Sequence, residues 1–515
     1  MRSIQRDDRR NFEQPSARLP VRRAGIDTYR QPVLYLHRDC TVSRAEGFAA
    51  LTRVSVKCGR QQVIAVLNIV TGDWLGKDEA ALSDAAWQML APEHGAIATL
   101  AHAEPPRSAS VLRAKVFGTR LNEAQFEAVL RDVLSARLSD IELAAFVTVC
   151  AGDRLDLDES VALTRAMISV GDRIDWGSGP VLDKHCVGGL PGNRTTPIVV
   201  SIVAALGHRI PKTSSRAITS PAGTADVMAT MTEVDLNIDV LRNVVDREGG
   251  CMASGGRMRL SPADDILIQV ERPLDLDGDG QMVASILSKK AAAGSTHVLI
   301  DIPVGATAKV RTMVAADAIA RRLAFVGEAV GLRIGVHISE GRQPVGRGIG
   351  PALEAHDVLE VLRNSPQAPS DLRERALDVA GAVLELLPAI APGSGRIQAA
   401  GALASGAAMR KFVAICMAQG GFREPGKARF VEPFVAPADG QLGCINNRQL
   451  ARIAKLAGAP RNPTAGVVCT MREGDSIRRG MPLFLVHAGS KGELAYALDY
   501  ARAHPDTLSL RESRS

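Results

Sequence analysis

The segment from Asp183 to Asp226 decides how this chain is interpreted. It begins D-K-H-C-V-G-G-L-P-G-N-R-T-T-P, continues through an apolar run from Ile198 to Leu206, and ends P-K-T-S-S-R-A-I-T-S-P-A-G-T-A-D. Two polar loops that contain glycine therefore bracket one apolar element, which has the length of a buried strand or a short helix. Each loop is rich in groups that hold phosphate: backbone amides, hydroxyls, and a cation in Lys184 or Arg216. Because His185, a proton carrier, lies beside Lys184, the segment predicts phosphate chemistry.

The composition is that of a soluble globular protein with several domains. The 515 residues correspond to three or four domains, with 46% apolar and 23% charged residues. Aromatic residues make up only 3%, so the cores must be built from aliphatic side chains. No apolar run reaches the ~20 residues that a membrane-spanning helix needs. The N-terminal region is Arg-rich and lacks the apolar segment of a secretory signal, so we expect a cytoplasmic protein without a membrane partner.

Charge and cysteine usage argue against two further classes of protein. The eight cysteines are scattered without a C-x-x-C pair, which indicates reduced thiols and no zinc site. Much of the net charge of +6 lies in the first 30 residues, which we predict to form a disordered basic tail. The chain has no basic stripe interleaved with aromatic residues, so we expect no nucleic-acid partner.

The N-terminal part of the sequence predicts a small β-rich domain followed by helices. Val54 to Cys58 and Val63 to Val70 have the composition and spacing of strands. Asn122 and Ser139 are predicted to cap two amphipathic helices, and Ser139 forms a capping box with Glu142. We therefore predict a β-rich domain over residues 31–100 and an antiparallel helical bundle after it.

Residues 181–420 alternate between β-like runs, such as Val298 to Ile302, and Ala-rich helical patterns, such as Ala315 to Val330. This alternation predicts an α/β domain with a mostly parallel sheet, in which ligands bind beyond the carboxyl ends of the strands. The last ~90 residues return to short strands and turns, which predicts a C-terminal α+β domain over residues 428–505. The fold class is thus a multidomain α/β protein.

Other ligand motifs fail on their spacing. The run that begins at Asp275 resembles a calcium loop but has Ile286 where a bidentate Glu is required. The glycines at 346, 348 and 350 do not fit a dinucleotide fingerprint, and the chain has no Walker A sequence. Ser285 and Lys289, by contrast, lie four residues apart on one predicted helical face, where they could grip two polar edges of a flat heterocycle.

Together these segments resemble the thymidine/pyrimidine-nucleoside phosphorylase family, and most closely its longer branch, which includes the AMP phosphorylases. The K-H-x-x-G-G and S-S-R-A-I-T-S-P-A-G-T motifs carry the resemblance, which extends over the chain from about residue 31. It implies a helical domain that faces an α/β domain across a cleft, and a homodimer built on the helical domains. The helical domain would join residues 112–178 to about 262–294, and the α/β domain residues 179–261 to 295–420.

The resemblance also assigns roles to individual residues. The phosphate site falls on Lys184, Cys186, Thr196, Ser214 and Thr224. His185 takes the place of the histidine near the base, Ser285 and Lys289 match the base-gripping pair, and Arg272 is the arginine partner of that pair. Cys186 departs from the family, which has a serine there in the thymidine enzymes. Because a thiol is a weak donor, we expect the backbone amide to make that phosphate contact.

The AMP-type enzymes contribute further nucleotide contacts and a proton-donating aspartate, which lands on Asp277. The corresponding contact residues here are Gly189, Ser215, Arg216, Ala217, Ile218, Thr219, Ser220, Thr224 and Lys309. The resemblance therefore leaves two proton donors open. A pyrimidine would take its proton from His185, and a purine nucleotide from Asp277.

The implied reaction is a reversible phosphorolysis, in which inorganic phosphate attacks C1′ of a nucleoside and releases the base and an α-pentose 1-phosphate. Phosphate is a co-substrate, and the chemistry requires no metal or other cofactor. We predict thymidine as the substrate, with AMP phosphorolysis as the alternative. A phosphoribosyltransferase of similar architecture would need an acidic magnesium–pyrophosphate site, and none lies near the glycine loops. A regulatory role without catalysis would leave the Lys, His and Ser set without a purpose.

Overall fold

The computed structural model describes residues 17–29, 31–93, 95–217, 220–274, 276 and 278–511, without the side chains of Arg257 and Arg272. The chain divides into two compact units. The first comprises Met1–Val149 with Ile266–Glu271, and the second comprises Cys150–Asp265 with Arg272–Ser515. The finer domain boundaries given above stay predictions.

The first unit begins with a closed six-stranded barrel. Its strands are β1 (Ala17–Arg23), β2 (Val33–His37), β3 (Arg53–Cys58), β4 (Gln61–Val70), β5 (Ala80–Leu82) and β6 (Ile97–His102), in the order β1-β5-β2-β4-β3-β6. Helices α1 (Thr41–Ala45) and α2 (Asp84–Leu90) belong to the same region. Alternate residues of the strands, such as Val54 and Val56, fill the barrel core.

The predicted tail over residues 1–30 is wrong for its second half. Strand β1 pairs with β5 and β6, and its alternating Leu19 and Val21 lie in the barrel core. The high arginine content hid this alternation, because the arginines lie at the exposed or half-buried positions of the strand. Residues 1–16 of the predicted tail lie outside the described residues.

Three helices follow: α3 (Ala109–Val116), α4 (Glu123–Leu134) and α5 (Asp140–Cys150). The predicted caps are confirmed. Asn122 forms a capping box with Gln125, and Ser139 and Glu142 exchange hydrogen bonds at the start of α5. Phe126 and Phe146 pack edge to face between α4 and α5, with ring centroids 6.4 Å apart.

The second unit alternates strands and helices, as predicted. Its strands are β7 (Leu182–Cys186), β8 (Ile210–Ser214), β9 (Gly250–Ser254), β10 (His297–Val304), β11 (Arg333–Glu340) and β12 (Gly348–Ile349). The helices between residues 157 and 418 are α6 (Leu157–Ser169), α7 (Thr195–Ala205), α8 (Thr224–Ala229), α9 (Ile238–Glu248), α10 (Pro262–Leu274), α11 (Asp279–Ala292), α12 (Met313–Ala329), α13 (Pro351–Leu362), α14 (Ser370–Leu384), α15 (Ser394–Ala404) and α16 (Ala407–Ala418). The Ile266–Glu271 segment of α10 is the part that belongs to the first unit.

The strands of this region form a parallel sheet between two helical layers. Strands β11, β10 and β7 pair in parallel, β8 pairs in parallel with β9, and one parallel bridge from Val181 to Arg209 joins the two groups. Leu299 of β10 packs in one core with α7, α13 and α14. Its neighbours Val298 and Ile300 pack on the opposite side with α11 and α12. This period-two alternation is what a sheet covered on both faces requires.

The apolar run from Ile198 to Leu206, which the sequence left open as strand or helix, lies almost entirely in helix α7. Pro197 lies in the first turn of α7, where its missing N–H costs no helical hydrogen bond. The first polar loop begins later than predicted, because Lys184, His185 and Cys186 are the last three residues of β7. The glycines of both loops lie beyond the carboxyl ends of β7 and β8.

The C-terminal region is α+β, as predicted. Its elements are β13 (Phe430–Val435), β14 (Gly440–Ile445), α17 (Asn447–Leu456), β15 (Gly466–Cys469), β16 (Ser476–Ile477), β17 (Pro482–Ala488), α18 (Lys491–Ala503) and β18 (Leu508–Arg511). They form two antiparallel sheets, in the orders β12-β15-β17-β13 and β16-β14-β18.

Across the described ranges, no single helix has both the length and the apolar character to span a membrane. The bent pair α15 and α16 passes the test only when the two helices are taken together. Both helices contribute to the large core around α7.

Candidate active site

Lys184 lies on β7 with its side chain turned toward helix α7. Because side chains alternate along a strand, Lys184 and Cys186 lie on the α7 side of the sheet, while Asp183 and His185 lie on the side of α11. The contacts agree: Lys184 bonds the start of α7, and Asp183 bonds Lys290 of α11. Strand β7 thus supplies polar groups to both faces of the sheet.

The ammonium of Lys184 is fully buried and is bonded to neutral groups. Its Nζ donates to the hydroxyl of Thr195 at 2.8 Å and to that of Thr196 at 3.4 Å. Among the residues that the structure describes, no carboxylate lies within ion-pair distance of this ammonium. A buried cation without a counter-charge is unfavourable, so the position is suited to an anion.

Arg194, the N-cap residue of α7, links this position to the second loop. Its guanidinium donates to the Thr224 hydroxyl at 2.9 Å and to the Ala222 carbonyl at 3.0 Å. It also donates to the buried carboxylate of Glu354 at 2.8 Å. Arg194 therefore bonds the Thr224 hydroxyl and directly precedes Thr195 and Thr196, the two threonines that bond Lys184.

The second loop lies against the start of α8. Gly223 has no room for a side chain, since an added Cβ would lie 2.9 Å from the Ser215 carbonyl oxygen and from the Ala217 nitrogen. Asp226 accepts hydrogen bonds from the Ala217 and Gly223 amides at 2.6 Å and 2.9 Å. Two of the loop amides expected to hold phosphate are therefore bonded to a carboxylate.

Of the two candidate cations, Arg216 is the less suitable. Its side chain is 48% exposed and is paired with Asp235 at 2.7 Å and with Asp226 at 3.6 Å. Ser214 ends β8, and Ser220 donates to the Ala222 carbonyl at 3.0 Å. The predicted contact residues Ile218 and Thr219 lie outside the described residues.

Cys186 lies beside Asn193 and Asp301. The amide of Asn193 donates to the thiol at 3.4 Å and to the Asp301 carboxylate at 3.5 Å. Burial and the charge of Asp301 raise the pKa of Cys186 to about 12. The thiol therefore stays protonated and is neither a nucleophile nor an anion at neutral pH.

His185 lies near several positive charges. Burial lowers the pKa of His185 well below its usual value, and the charges of Lys290, Lys212, Lys184 and Lys289 lower it further. The imidazole is therefore neutral at physiological pH. A bound phosphate anion would offset these charges and shift the pKa of His185 upward.

A buried ionic cluster lies next to His185 in the sequence. The Asp183 carboxylate contacts the ammonium of Lys290 at 2.8 Å and that of Lys212 at 3.6 Å. Burial opposes ionisation of Asp183, but these two cations together lower the pKa of its carboxyl. Burial lowers the pKa of Lys212 to about 7.

The predicted base-gripping pair is held by one carboxylate. Asp264 of α10 is buried, and its Oδ2 accepts from the Ser285 hydroxyl at 2.9 Å and contacts the Lys289 ammonium at 2.5 Å. The two residues lie on one face of α11, as predicted. The side chain of Arg272 and the whole of Asp277 lie outside the described residues, so their roles stay predictions.

Gly189 and Lys309 also lie together. Gly189 has φ +81°, and an added Cβ would lie 2.3 Å from the Lys309 nitrogen. The loop after β7 therefore passes directly over the segment that follows β10, and only glycine allows this approach.

Sequence reasoning missed four residues that organise the site: Arg194, Thr195, Asp264 and Glu354. Thr195 could have been found, because it precedes Thr196 at a predicted element boundary next to a phosphate loop. The other three act through contacts between residues at least 21 positions apart in the chain, and no local pattern marks them.

Known families match both helical and α/β parts of the chain. Residues 109–171 match the helical bundle domain of a glycosyl transferase family, and residues 178–409 match the α/β domain of a glycosyl transferase family. A solved structure, that of anthranilate phosphoribosyltransferase from Thermus thermophilus, has a TM-score of 0.51 at 19% identity. The match covers 60% of this chain and 98% of that one, and at this identity the likeness concerns the fold alone.

Whole-length relatives give a finer comparison. The chain is 57% identical over 495 residues to a protein of Polaromonas sp. strain JS666 and 53% identical over 492 residues to one of Hahella chejuensis. Each alignment covers 96% of this chain and 97% of the relative, and both relatives are named "Putative thymidine phosphorylase". The resemblance seen in the two glycine loops is therefore confirmed, and this chain belongs to the thymidine/pyrimidine-nucleoside phosphorylase family, as a glycosyltransferase-type nucleoside phosphorylase.

Proposed function

We propose that this enzyme is a thymidine phosphorylase, which converts thymidine and inorganic phosphate into thymine and 2-deoxy-α-D-ribose 1-phosphate. The observation that carries the proposal is the buried Lys184 ammonium, which bonds two neutral hydroxyls and, among the described residues, no carboxylate. A phosphate anion would supply the missing charge. The names of the relatives support thymidine as the nucleoside.

The hydroxyls that Lys184 and Arg194 contact would donate to such an anion. Thr195 and Thr196 accept from the Lys184 ammonium, and Thr224 accepts from the Arg194 guanidinium. A hydroxyl that accepts from a cation directs its own proton elsewhere. Phosphate held by these donors would lie fixed for attack on C1′, so that part of the barrier is removed by positioning.

The departing base gathers negative charge as the bond to C1′ breaks. Lys289 would stabilise this charge at one polar edge of the base, and Ser285 would contact a second edge. His185 would deliver the proton to thymine, and the phosphate anion would raise the pKa of His185 toward the range in which it can do so. Phosphate would thus both attack C1′ of the sugar and favour the protonated form of His185. The sugar cation that develops at C1′ would lie between the attacking phosphate and the departing base.

A second candidate, phosphorolysis of AMP, is supported by the segments that match the AMP-type enzymes. The backbone of Lys309 lies against Gly189, and Ser215 and Ala217 lie against Gly223. These segments would supply contacts for a 5′-phosphate, and Asp277 would then protonate the purine.

The test is release of free base from thymidine, uridine and AMP, each with and without phosphate. The parent enzyme should release thymine only when phosphate is present. His185→Ala should lower kcat for thymidine by about 10²–10⁴-fold, since it removes the general acid. Asp277→Asn should leave thymidine turnover within about threefold of the parent, well below the loss that removal of a general acid causes.

Matched controls are His208→Ala, at the opposite end of β8 from the loop, and Asp275→Asn, two residues before Asp277. If the parent cleaves AMP faster than thymidine and Asp277→Asn alone abolishes that cleavage, the enzyme is an AMP phosphorylase and the thymidine proposal is wrong.

A further inference from the structure

Three threonine hydroxyls bonded to Lys184 or to Arg194 share one arrangement. Thr195 and Thr196 each accept a hydrogen bond from Lys184, and Thr224 accepts one from Arg194. Within the described parts of the chain, none of the three donates its own proton to a protein acceptor. All three are buried. Each of the three O–H groups is therefore available to donate to an anion, and two different cations hold their oxygens.

Arg194 is bound too fully to be the phosphate cation itself. Its side chain is only 14% exposed, and its guanidinium donates to Glu354, Thr224 and the Ala222 carbonyl. These partners belong to different elements: Glu354 lies on α13, whereas Ala222 and Thr224 flank the start of α8. Arg194 itself precedes α7, which begins with Thr195.

Glu354 in turn is fixed at the start of α13. It is 2% exposed, and its second oxygen accepts from the Gly350 amide at 3.1 Å. The guanidinium is therefore held by a carboxylate that cannot move to solvent. Because Arg has a planar set of divergent donors, it can bridge three acceptors that a lysine ammonium could not reach together.

We propose that Arg194, held by Glu354, is a positioning residue for the phosphate co-substrate. It fixes the Ala222–Thr224 segment relative to Lys184 and directs the Thr224 hydroxyl proton toward the anion. This inference rests on the proposed phosphate site and assigns a residue that acts through Thr224 rather than on the phosphate.

The direct test compares the dissociation constant of inorganic phosphate, measured by calorimetry, in the parent and in Arg194→Lys. Lysine keeps the positive charge but cannot bond Glu354, Ala222 and Thr224 at once. We expect phosphate binding to weaken about tenfold, as for loss of one hydrogen bond to a charged group. The KM for phosphate should rise in parallel. The KM for thymidine should stay within about twofold of the parent value, because the substitution removes no contact to thymidine. Glu354→Gln should give a smaller change in the same direction.

A double-mutant cycle shows whether Arg194 acts through Thr224. Thr224→Val removes the hydroxyl at nearly constant volume. In that background Arg194→Lys should have less than about a twofold further effect on phosphate binding, because the two residues act as a unit. Arg209→Lys is the matched control: Arg209 is a partly buried arginine that bonds the Trp176 carbonyl at the other end of β8.

The outcomes separate this inference from the proposed function. If the parent does not bind phosphate, or if Lys184→Met leaves binding unchanged, the phosphate site itself is wrong. If Lys184→Met weakens binding and Arg194→Lys does not, only the role of Arg194 is overturned. Equal rises in both KM values, or full additivity with Thr224→Val, would show that Arg194 has a general structural role, and would also overturn the inference.

Discussion

Lys184 combines two properties that rarely occur together: complete burial and the lack, within the described residues, of a carboxylate partner. A stabilising role for this ammonium in the protein alone is therefore implausible on energetic grounds, since an isolated buried charge opposes folding. Its presence is explained if the enzyme binds an anion there. The charge of Lys184 therefore lowers the stability of the fold but favours binding of an anion.

We predict that Lys184→Met removes most of the response to phosphate at concentrations near the Kd of the parent, without destabilising the protein. Methionine has a similar length and carries no charge, so the Tm without phosphate should equal or exceed that of the parent. Phosphate added at such concentrations should raise the Tm of the parent but hardly that of the variant. The affinity for phosphate should fall by about 10- to 100-fold, as expected for loss of a charge-assisted hydrogen bond.

Differential scanning calorimetry over a phosphate series provides this measurement, with the exposed Lys427→Met as control. A variant that kept the full phosphate-induced rise in Tm would show that another cation holds the anion.

At the scale of elements, the alternation of strand β7 divides the site. Lys184 lies on the side of α7 for phosphate, while Asp183 and His185 lie on the side of α11, which carries Lys289 and Lys290. Two buried lysines converge on Asp183, so the cluster carries an excess of positive charge. This excess helps burial to keep His185 neutral and to lower the pKa of Lys212 to about 7.

The lowered pKa of Lys212 predicts how stability depends on pH. The unfolded chain holds this proton up to about pH 10.4, whereas the folded protein loses it near pH 7. Between these values the unfolded state binds more protons, so the folded state gains stability as the pH rises. Between pH 7 and pH 8.5 the slope of Tm against pH should be more positive for the parent than for Lys212→Met.

The comparison uses the slope of Tm against pH rather than the Tm itself, since Lys212→Met also removes a partner of Asp183. The cysteine thiols of the unfolded chain begin to ionise in this pH range, but they do so equally in the parent and in Lys212→Met, so they cancel from the difference between the two slopes. Lys427→Met should keep the parent slope. If Lys212→Met kept that slope as well, the proton lost near pH 7 would belong to another group.

Local signals predicted the elements better than they predicted the contacts. The caps at Asn122 and Ser139 could be predicted because each capping residue and its partner lie within four consecutive residues. Strand β1 was missed because its arginines masked the alternation of Leu19 and Val21. The link from Asp264 to Ser285 and Lys289, and that from Arg194 to Glu354, could not be predicted, since each depends on how distant helices pack.

At the scale of the whole molecule, the fold class followed from the alternation of strand and helix patterns, and the family followed from the two glycine loops. The loops were informative because glycine is required where backbones approach closely, as at Gly189 and Gly223. The choice between thymidine and AMP depends instead on whether His185 or Asp277 donates the proton, and on the contacts of the run from Ser215 to Ser220. Individual side chains that select a substrate do not recur periodically, so a single sequence does not mark them in the way that it marks strands and helices.

The central claim, phosphorolysis of thymidine, is tested most directly by following both products in one reaction. Thymine is measured by chromatography and the sugar phosphate by phosphorus NMR, with thymidine and inorganic phosphate supplied to the full-length enzyme. We predict that one 2-deoxyribose 1-phosphate is formed and one phosphate is consumed for each thymine released, with no thymine when phosphate is omitted. Thymine released without consumption of phosphate, or no thymine released under any phosphate concentration, would contradict it.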